Sequence, residues 1–198
     1  AVEAFNMCLK QNPENINALY NKADSLYKLG KFKEAFATIT LALELEPYDS
    51  DILLKEGEIL IQLGQWQRAI DSMHEAIQLD EHNPKPRQLL ATCRLHLKQY
   101  DMLVEECPWW LKVDPKNALG WSILGRALCL TKNYPKALDC LTYSLKLLPE
   151  AQNWLAAVYR AHVLYHMAKY EDALEICEQL IAIQESANVL YVKALICQ

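Results

Sequence analysis

Glycine is scarce in this sequence, and it does not cluster. Five glycines are spread over 198 residues, and none builds the Gly-rich loop that cradles a phosphate. There is no serine elbow and no pair of acids in a setting that would tune them, so intrinsic catalysis is not expected. The cysteines are odd in number (Cys8, Cys93, Cys107, Cys129, Cys140, Cys177 and Cys197), and none pairs into a Cys-x-x-Cys motif or has an obvious histidine partner by spacing. Most fall where a helix takes a small buried residue, which predicts reduced core thiols and a cytoplasmic, reducing setting. No apolar run approaches the length that spans a membrane, and the first residues lack the basic-then-apolar pattern of a leader. A basic stripe is also missing. With a net charge of -5, and acids modestly ahead of bases in both halves, direct binding to nucleic acid is not expected.

What the chain does have is a match to itself at an offset of thirty-four residues, Gly30 to Gly64. Leu29-Gly30-Lys31-Phe32-Lys33-Glu34-Ala35 returns as Leu63-Gly64-Gln65-Trp66-Gln67-Arg68-Ala69. It returns more loosely as Thr131-Lys132-Asn133-Tyr134-Pro135-Lys136-Ala137 and as Ala168-Lys169-Tyr170-Glu171-Asp172-Ala173. A fixed period of this length predicts stacked helix-turn-helix units. The register gives units 16–49, 50–83, 84–117, 118–151 and, after a slip of two residues around Glu150-Ala151-Gln152-Asn153, 154–186.

The physical roles repeat with the register. Ala23, Gly57, Ala91, Gly125 and Ala161 are the small residues that let the first helix of each pair approach its partner, and Ala35, Ala69, Ala137 and Ala173 do the same on the second helix. Phe32, Trp66, Tyr100, Tyr134 and Tyr170 are expected to fill the space between units. Pro47, Pro115 and Pro149 end the second helices. Gly30 and Gly64 suit a left-handed turn inside the hairpin, whereas Lys98, Lys132 and Ala168 at the same place add up to about 1 kcal/mol of strain. Pro108, within Glu105-Glu106-Cys107-Pro108-Trp109-Trp110, predicts a kink or restart of the second helix of unit three, with Trp109 offered to a partner or Trp110 filling the gap.

This pattern resembles the tetratricopeptide repeat family over essentially the whole chain. The resemblance implies an all-α, right-handed superhelical solenoid of antiparallel helix pairs, about five full repeats with a half-repeat at each end (1–15 and 187–198), as a single repeat domain. The chain does not begin with Met, and Leu195-Ile196-Cys197 offers no polar cap, so a slab of a longer superhelix is expected.

The family's geometry also implies a concave groove lined by the first helices. It would present Tyr20, Asn21, Asp24 and Lys28, then Leu54, Lys55 and Glu58, then Lys85, Gln88, Thr92 and His96. Units four and five would add Ser122, Ile123, Arg126 and Cys129, and Val158, Tyr159, His162, Tyr165 and His166. The lining passes from mixed charge to apolar and aromatic, which suits a partner segment with a hydrophobic anchor. Arg126, Tyr159, His162, Tyr165, Ile123 and Val158 are the expected contact residues. The family's clamp on acidic chaperone C-termini is not expected, because Asp24 and Glu58 stand where that clamp wants a neutral amide. His162 and His166, four apart, have a spacing that can hold zinc with Cys129 as a third ligand, but the flanking Tyr159 and Tyr165 read as packing, and neither metal nor cofactor is expected. The expected function is protein–protein binding in the groove, as an adaptor. The alternatives are an interior segment of a large multi-subunit scaffold, or the substrate-recruiting appendage of an enzyme carried elsewhere on a longer chain.

Overall fold

A carboxamide or carboxylate side chain starts each of the first four hairpins. Asn15, Asp49, Asn83 and Asn117 accept from the backbone N–H of Ala18 (2.9 Å), Ile52 (3.0 Å), Lys85 (3.1 Å) and Gly120 (2.8 Å), satisfying donors that the first turn leaves without an intrahelical partner. The computed structural model describes residues 1–149, 153–183, 190, 193 and 194. Among these, eleven α-helices and no strand are present: α1 (Val2–Gln11), α2 (Ile16–Lys28), α3 (Phe32–Leu45), α4 (Ser50–Gln62), α5 (Trp66–Leu79), α6 (Pro84–His96), α7 (Tyr100–Val113), α8 (Ala118–Leu130), α9 (Tyr134–Leu147), α10 (Trp154–His166) and α11 (Tyr170–Ile183). Of the terminal half-repeat 187–198 only residues 190, 193 and 194 are described, and Cys197 and residues 150–152 of the two-residue slip lie outside the described residues.

Each hairpin turns through one residue in the left-handed region. Gly30 (φ 74°), Gly64 (72°), Lys98 (57°), Lys132 (64°) and Ala168 (59°) all adopt it. The N–H of the next residue reaches back across the turn, Lys31 to Leu26 O (3.0 Å), Gln65 to Leu60 O (2.9 Å), Asn133 to Leu128 O (2.8 Å) and Lys169 to Leu164 O (2.9 Å). This is the Schellman closure of a helix C-terminus, and it needs a positive φ at the residue it encloses. At Gly30 and Gly64 nothing lies within 4 Å of where a Cβ would stand, so backbone conformation alone favours glycine there.

The chain divides into two compact units, Ala1–Leu97 and Lys98–Gln198. In the first, Leu19, Ala23 and Leu26 of α2, Ala35, Ile39 and Ala42 of α3, and Ile52 and Ile59 of α4 form a continuous core. Ala23, Ala35 and Ala69 are fully buried, which is why the paired helices approach so closely there. In the second unit, Ala137, Ala161 and Ala173 are equally inaccessible, and a Cβ on Gly125 would stand 2.6 Å from Leu141 Cγ. Asn153 does not cap α10 in the manner of the earlier asparagines. Its amide donates to Ser144 Oγ (2.8 Å), and Ser144 Oγ donates to the Ala118 carbonyl (2.6 Å), a buried polar chain joining α8, α9 and the start of α10.

One expectation is corrected. Helix α7 does not restart at Pro108 but runs unbroken from Tyr100 to Val113. Pro108 withholds one N–H, and packing of Leu103, Cys107 and Leu111 into the core holds the helix through that gap. Tyr170 is about half exposed and meets Tyr165 of α10 at 5.8 Å. The left-handed turns generate a direct test. Lys132→Gly is expected to raise stability by about 0.5–1 kcal/mol, and Gly64→Ala to lower it by about 1 kcal/mol, in urea unfolding followed by circular dichroism.

Candidate partner-binding site

In the second unit α8 and α10 are neighbouring first helices, and their facing side chains form a row. The Arg126 guanidinium lies over the Tyr159 ring, 5.1 Å from its centroid. One turn further along each helix, Cys129 Sγ is 3.4 Å from His162 Nδ1. His162 meets His166 edge-on at 4.5 Å, and His166 stacks on Tyr134 of α9 at 4.8 Å with the rings 10° apart. Tyr165 closes the row against His166 (5.2 Å) and Tyr170 of α11 (5.8 Å). Ile123, Arg126, Tyr159, His162 and Tyr165 are half-buried, so each keeps surface for a ligand, whereas Val158 is only 6 % exposed and its side chain belongs to the packing.

Burial sets the chemistry of this row. It pushes the Cys129 thiol up to about 11, so the sulfur stays protonated near neutral pH and is no nucleophile. Burial, and secondarily the neighbouring His166, hold His162 below the ordinary imidazole value. The Cys129 thiol and His162 Nδ1 are within hydrogen-bond reach, and the ring tautomer sets which of the two donates. Among the described residues no three His, Cys, Asp or Glu side chains are placed to hold a metal ion.

The first helices of the other unit are different. Lys55 Nζ sits 3.0 Å from Asp24 Oδ1 and 2.5 Å from Glu58 Oε2, and Lys28 Nζ is 2.6 Å from Asp24 Oδ2. Burial opposes the charge on Lys55, but hydrogen bonds to Glu58 and Asp24 outweigh it and raise its pKa. Burial likewise opposes ionisation of Asp24, and its bonds to Lys28 and Lys55 outweigh that and lower it. These charges satisfy one another, leaving little to offer a ligand. On α6, His96 stacks on Trp66 at 3.8 Å, the same pairing that His166 makes with Tyr134. The sequence reading left Tyr134 and Tyr170 out of the site. The signal was there: a histidine ends both α6 and α10, and an aromatic residue opens the second helix of the preceding pair.

Models of the tetratricopeptide repeat match residues 16–49 and 60–101. Over those stretches the chain carries tetratricopeptide repeats. Solved tetratricopeptide proteins share its fold, an all-α solenoid of antiparallel helix pairs. YrrB, described as a TPR protein with an unusual peptide-binding site, is 20% identical over 98% of this chain and 100% of its own, with a TM-score of 0.78. MamA from Desulfovibrio magneticus RS-1 is 18% identical over 86% of this chain and 97% of its own, with a TM-score of 0.76. A chain of the Naa15/Naa10 structure bound to HypK-THB is 23% identical over 98% of this repeat chain, which spans only 31% of that much longer one, with a TM-score of 0.59. No curated protein matches the sequence. Among the described residues no helix of the repeats is long and apolar enough to cross a membrane.

Two outcomes follow from the charges. Lys55→Met leaves Asp24 and Glu58 without their shared cation and is expected to lower stability by roughly 1–2 kcal/mol in chemical unfolding. His162 is held below its unfolded value near 6.5, so the fold prefers the neutral ring. The stability it contributes is present above that value and lost as pH falls through the folded pKa. The melting temperature is expected to drop between pH 7 and 5, with a shallower drop in His162→Gln, measured by thermal unfolding at each pH.

Proposed function

We propose that this chain is a protein-interaction module that binds an extended or helical partner segment on the α8–α10 face of its second unit, as an adaptor. The observation that carries this reading is the half-buried row from Arg126 and Tyr159 through His162 to Tyr165. It combines aromatic area with a few polar groups in fixed orientation, the composition that anchors peptide segments. Aromatic rings supply contact area at low entropic cost, and their stacking on one another holds them in place before a ligand arrives. Ile123, one turn before Arg126, extends the row on α8, while Val158 supports it from beneath. Support also comes from YrrB, a protein of the same fold described as having a peptide-binding site.

The repeats 16–49 to 154–186, flanked by half-units, belong on this reading to a single array, with binding and not catalysis as its work. Protonated buried thiols at Cys93, Cys129 and Cys140 fit a reducing, cytoplasmic setting. A second reading, an interior stretch of a larger scaffold, is favoured by the likeness to under a third of the chain in the Naa15/Naa10 structure.

Random peptides displayed on phage and selected on the intact chain separate these readings. A segment binder is expected to yield a recurrent motif with an aromatic or large aliphatic anchor, and the Tyr159→Ala/Tyr165→Ala variant should bind the selected peptides at least about tenfold more weakly, a loss of ~1.4 kcal/mol. Equal helicity of both proteins by circular dichroism is the control. Peptides that bind both proteins alike would sink the groove reading and leave the scaffold.

A further inference from the structure

Arg126 is the one group in this row whose chemistry is unfinished. Its Nε is buried and has no hydrogen-bond partner, and its guanidinium takes part in no ion pair among the described residues. Among the described residues its polar group meets only the face of the Tyr159 ring. The other arginine with a buried unpartnered Nε, Arg87, at least donates through Nη1 to the Asn83 carbonyl (3.4 Å). A guanidinium cannot relieve such a position by losing its proton, and a buried donor left without an acceptor is costly. The ring fixes the plane of the group, and the two Nη atoms, which unlike Nε are not buried, form a two-pronged donor.

The surroundings say which acceptor fits. Neither α8 nor α10 contains an Asp or Glu. The described acids of the second unit lie on α7 (Asp101, Glu105, Glu106), α9 (Asp139) and α11 (Glu171, Asp172, Glu175, Glu178), with Asp114 capping α7. The chain's net charge of -5 therefore has no carboxylate on the helices that form this face, and exposed acids more than about 8 Å away are largely screened at physiological salt. Arg160, the arginine of α10, lines a separate shallow cleft with Asp172 and Glu175, where opposite charge is already present. In the first unit Lys55 stands on the same face of a first helix and is held between Asp24 and Glu58. Where α2 and α4 supply their own carboxylates, α8 and α10 supply none.

We infer that Arg126 receives the side-chain carboxylate of an Asp or Glu in the bound segment, next to the residue that anchors on Tyr159 and Tyr165. This rests on the groove reading proposed above. A side chain and not a chain terminus is the source, because the row continues on both sides of Arg126, to Ile123 in one direction and to His162 and Tyr165 in the other. A segment filling it runs past the guanidinium in both directions. The planar fork accepts a carboxylate through two parallel hydrogen bonds, and the half-buried setting strengthens them over a surface ion pair.

The test uses the intact chain, Arg126→Gln, Arg126→Glu and Tyr165→Ala against the same phage-displayed random peptides. The expected result is an Asp or Glu at a fixed spacing from the apolar anchor in the peptides selected on the intact chain. Those peptides should weaken at least about tenfold on Arg126→Gln. Fresh selection on Arg126→Glu should replace the acid by Lys or Arg at the same spacing, an outcome that misfolding would not produce. Peptides that need Tyr165 but show no acidic position and bind Arg126→Gln unchanged would overturn this inference and leave the groove reading standing. Peptides indifferent to Tyr165→Ala, or no selected motif at all, would remove both. Synthetic peptides whose binding vanishes when the C-terminus is amidated would assign Arg126 to a terminal carboxylate and overturn the side-chain assignment.

Discussion

The close approach of two helices over fully buried small residues is the constraint on which the rest of this structure depends. Ala23 and Ala35 in one core, and Gly125 against Leu141, let the paired helices come close, as the 2.6 Å from a Gly125 Cβ to Leu141 Cγ makes plain. Larger residues there would overfill a seam that is already at close-packed density. Once the pairs are that tight, each turn has room for a single left-handed residue, and the next helix starts on its own Asn or Asp cap. The unusual consequence is that the turn position is enforced even where the sequence supplies lysine or alanine. Packing of the pair outweighs about 1 kcal/mol of backbone strain at Lys132 and Ala168.

Tight pairs also decide which residues remain for a partner. The stripe of each first helix that faces its second helix is consumed by the seam, and only the opposite stripe keeps accessible surface. On α2 and α4 that stripe is closed by its own ion pairs, with Lys55 between Asp24 and Glu58. On α8 and α10 it is aromatic, neutral in its thiol and imidazole, and positive at one guanidinium. The same backbone thus carries a self-satisfied surface in one unit and an unsatisfied one in the other. Self-satisfied charges contribute to folding, whereas unsatisfied ones contribute once a ligand completes them.

Much of this was legible beforehand, for reasons that can be given residue by residue. The seam positions and the left-handed turns recur at fixed spacing, and they depend on local conformation and on one-dimensional periodicity. The stacking of a histidine ending one helix on the aromatic residue opening an earlier one is equally periodic, although the expectation placed His96 and His166 in the groove and Trp66 and Tyr134 between units. The continuous α7 was not legible. Proline's local penalty argues for a break, and only the burial of Leu103, Cys107 and Leu111 overrides it.

The sequence by itself determined the repeat register, the helix pairs, the places of the turns and the face on which candidate contact residues lie. These are set by spacing along one chain and by the side-chain volumes that spacing brings together. Only the tertiary structure decided that Lys55 is spoken for while Arg126 is not, that Val158 sinks into the packing while Tyr159 stays half open, and that Cys129 meets His162. Those outcomes turn on differences of an ångström or two between side chains more than thirty residues apart. Hydrogen bonds and charge pairs change from satisfied to vacant over that distance, and no periodicity encodes it.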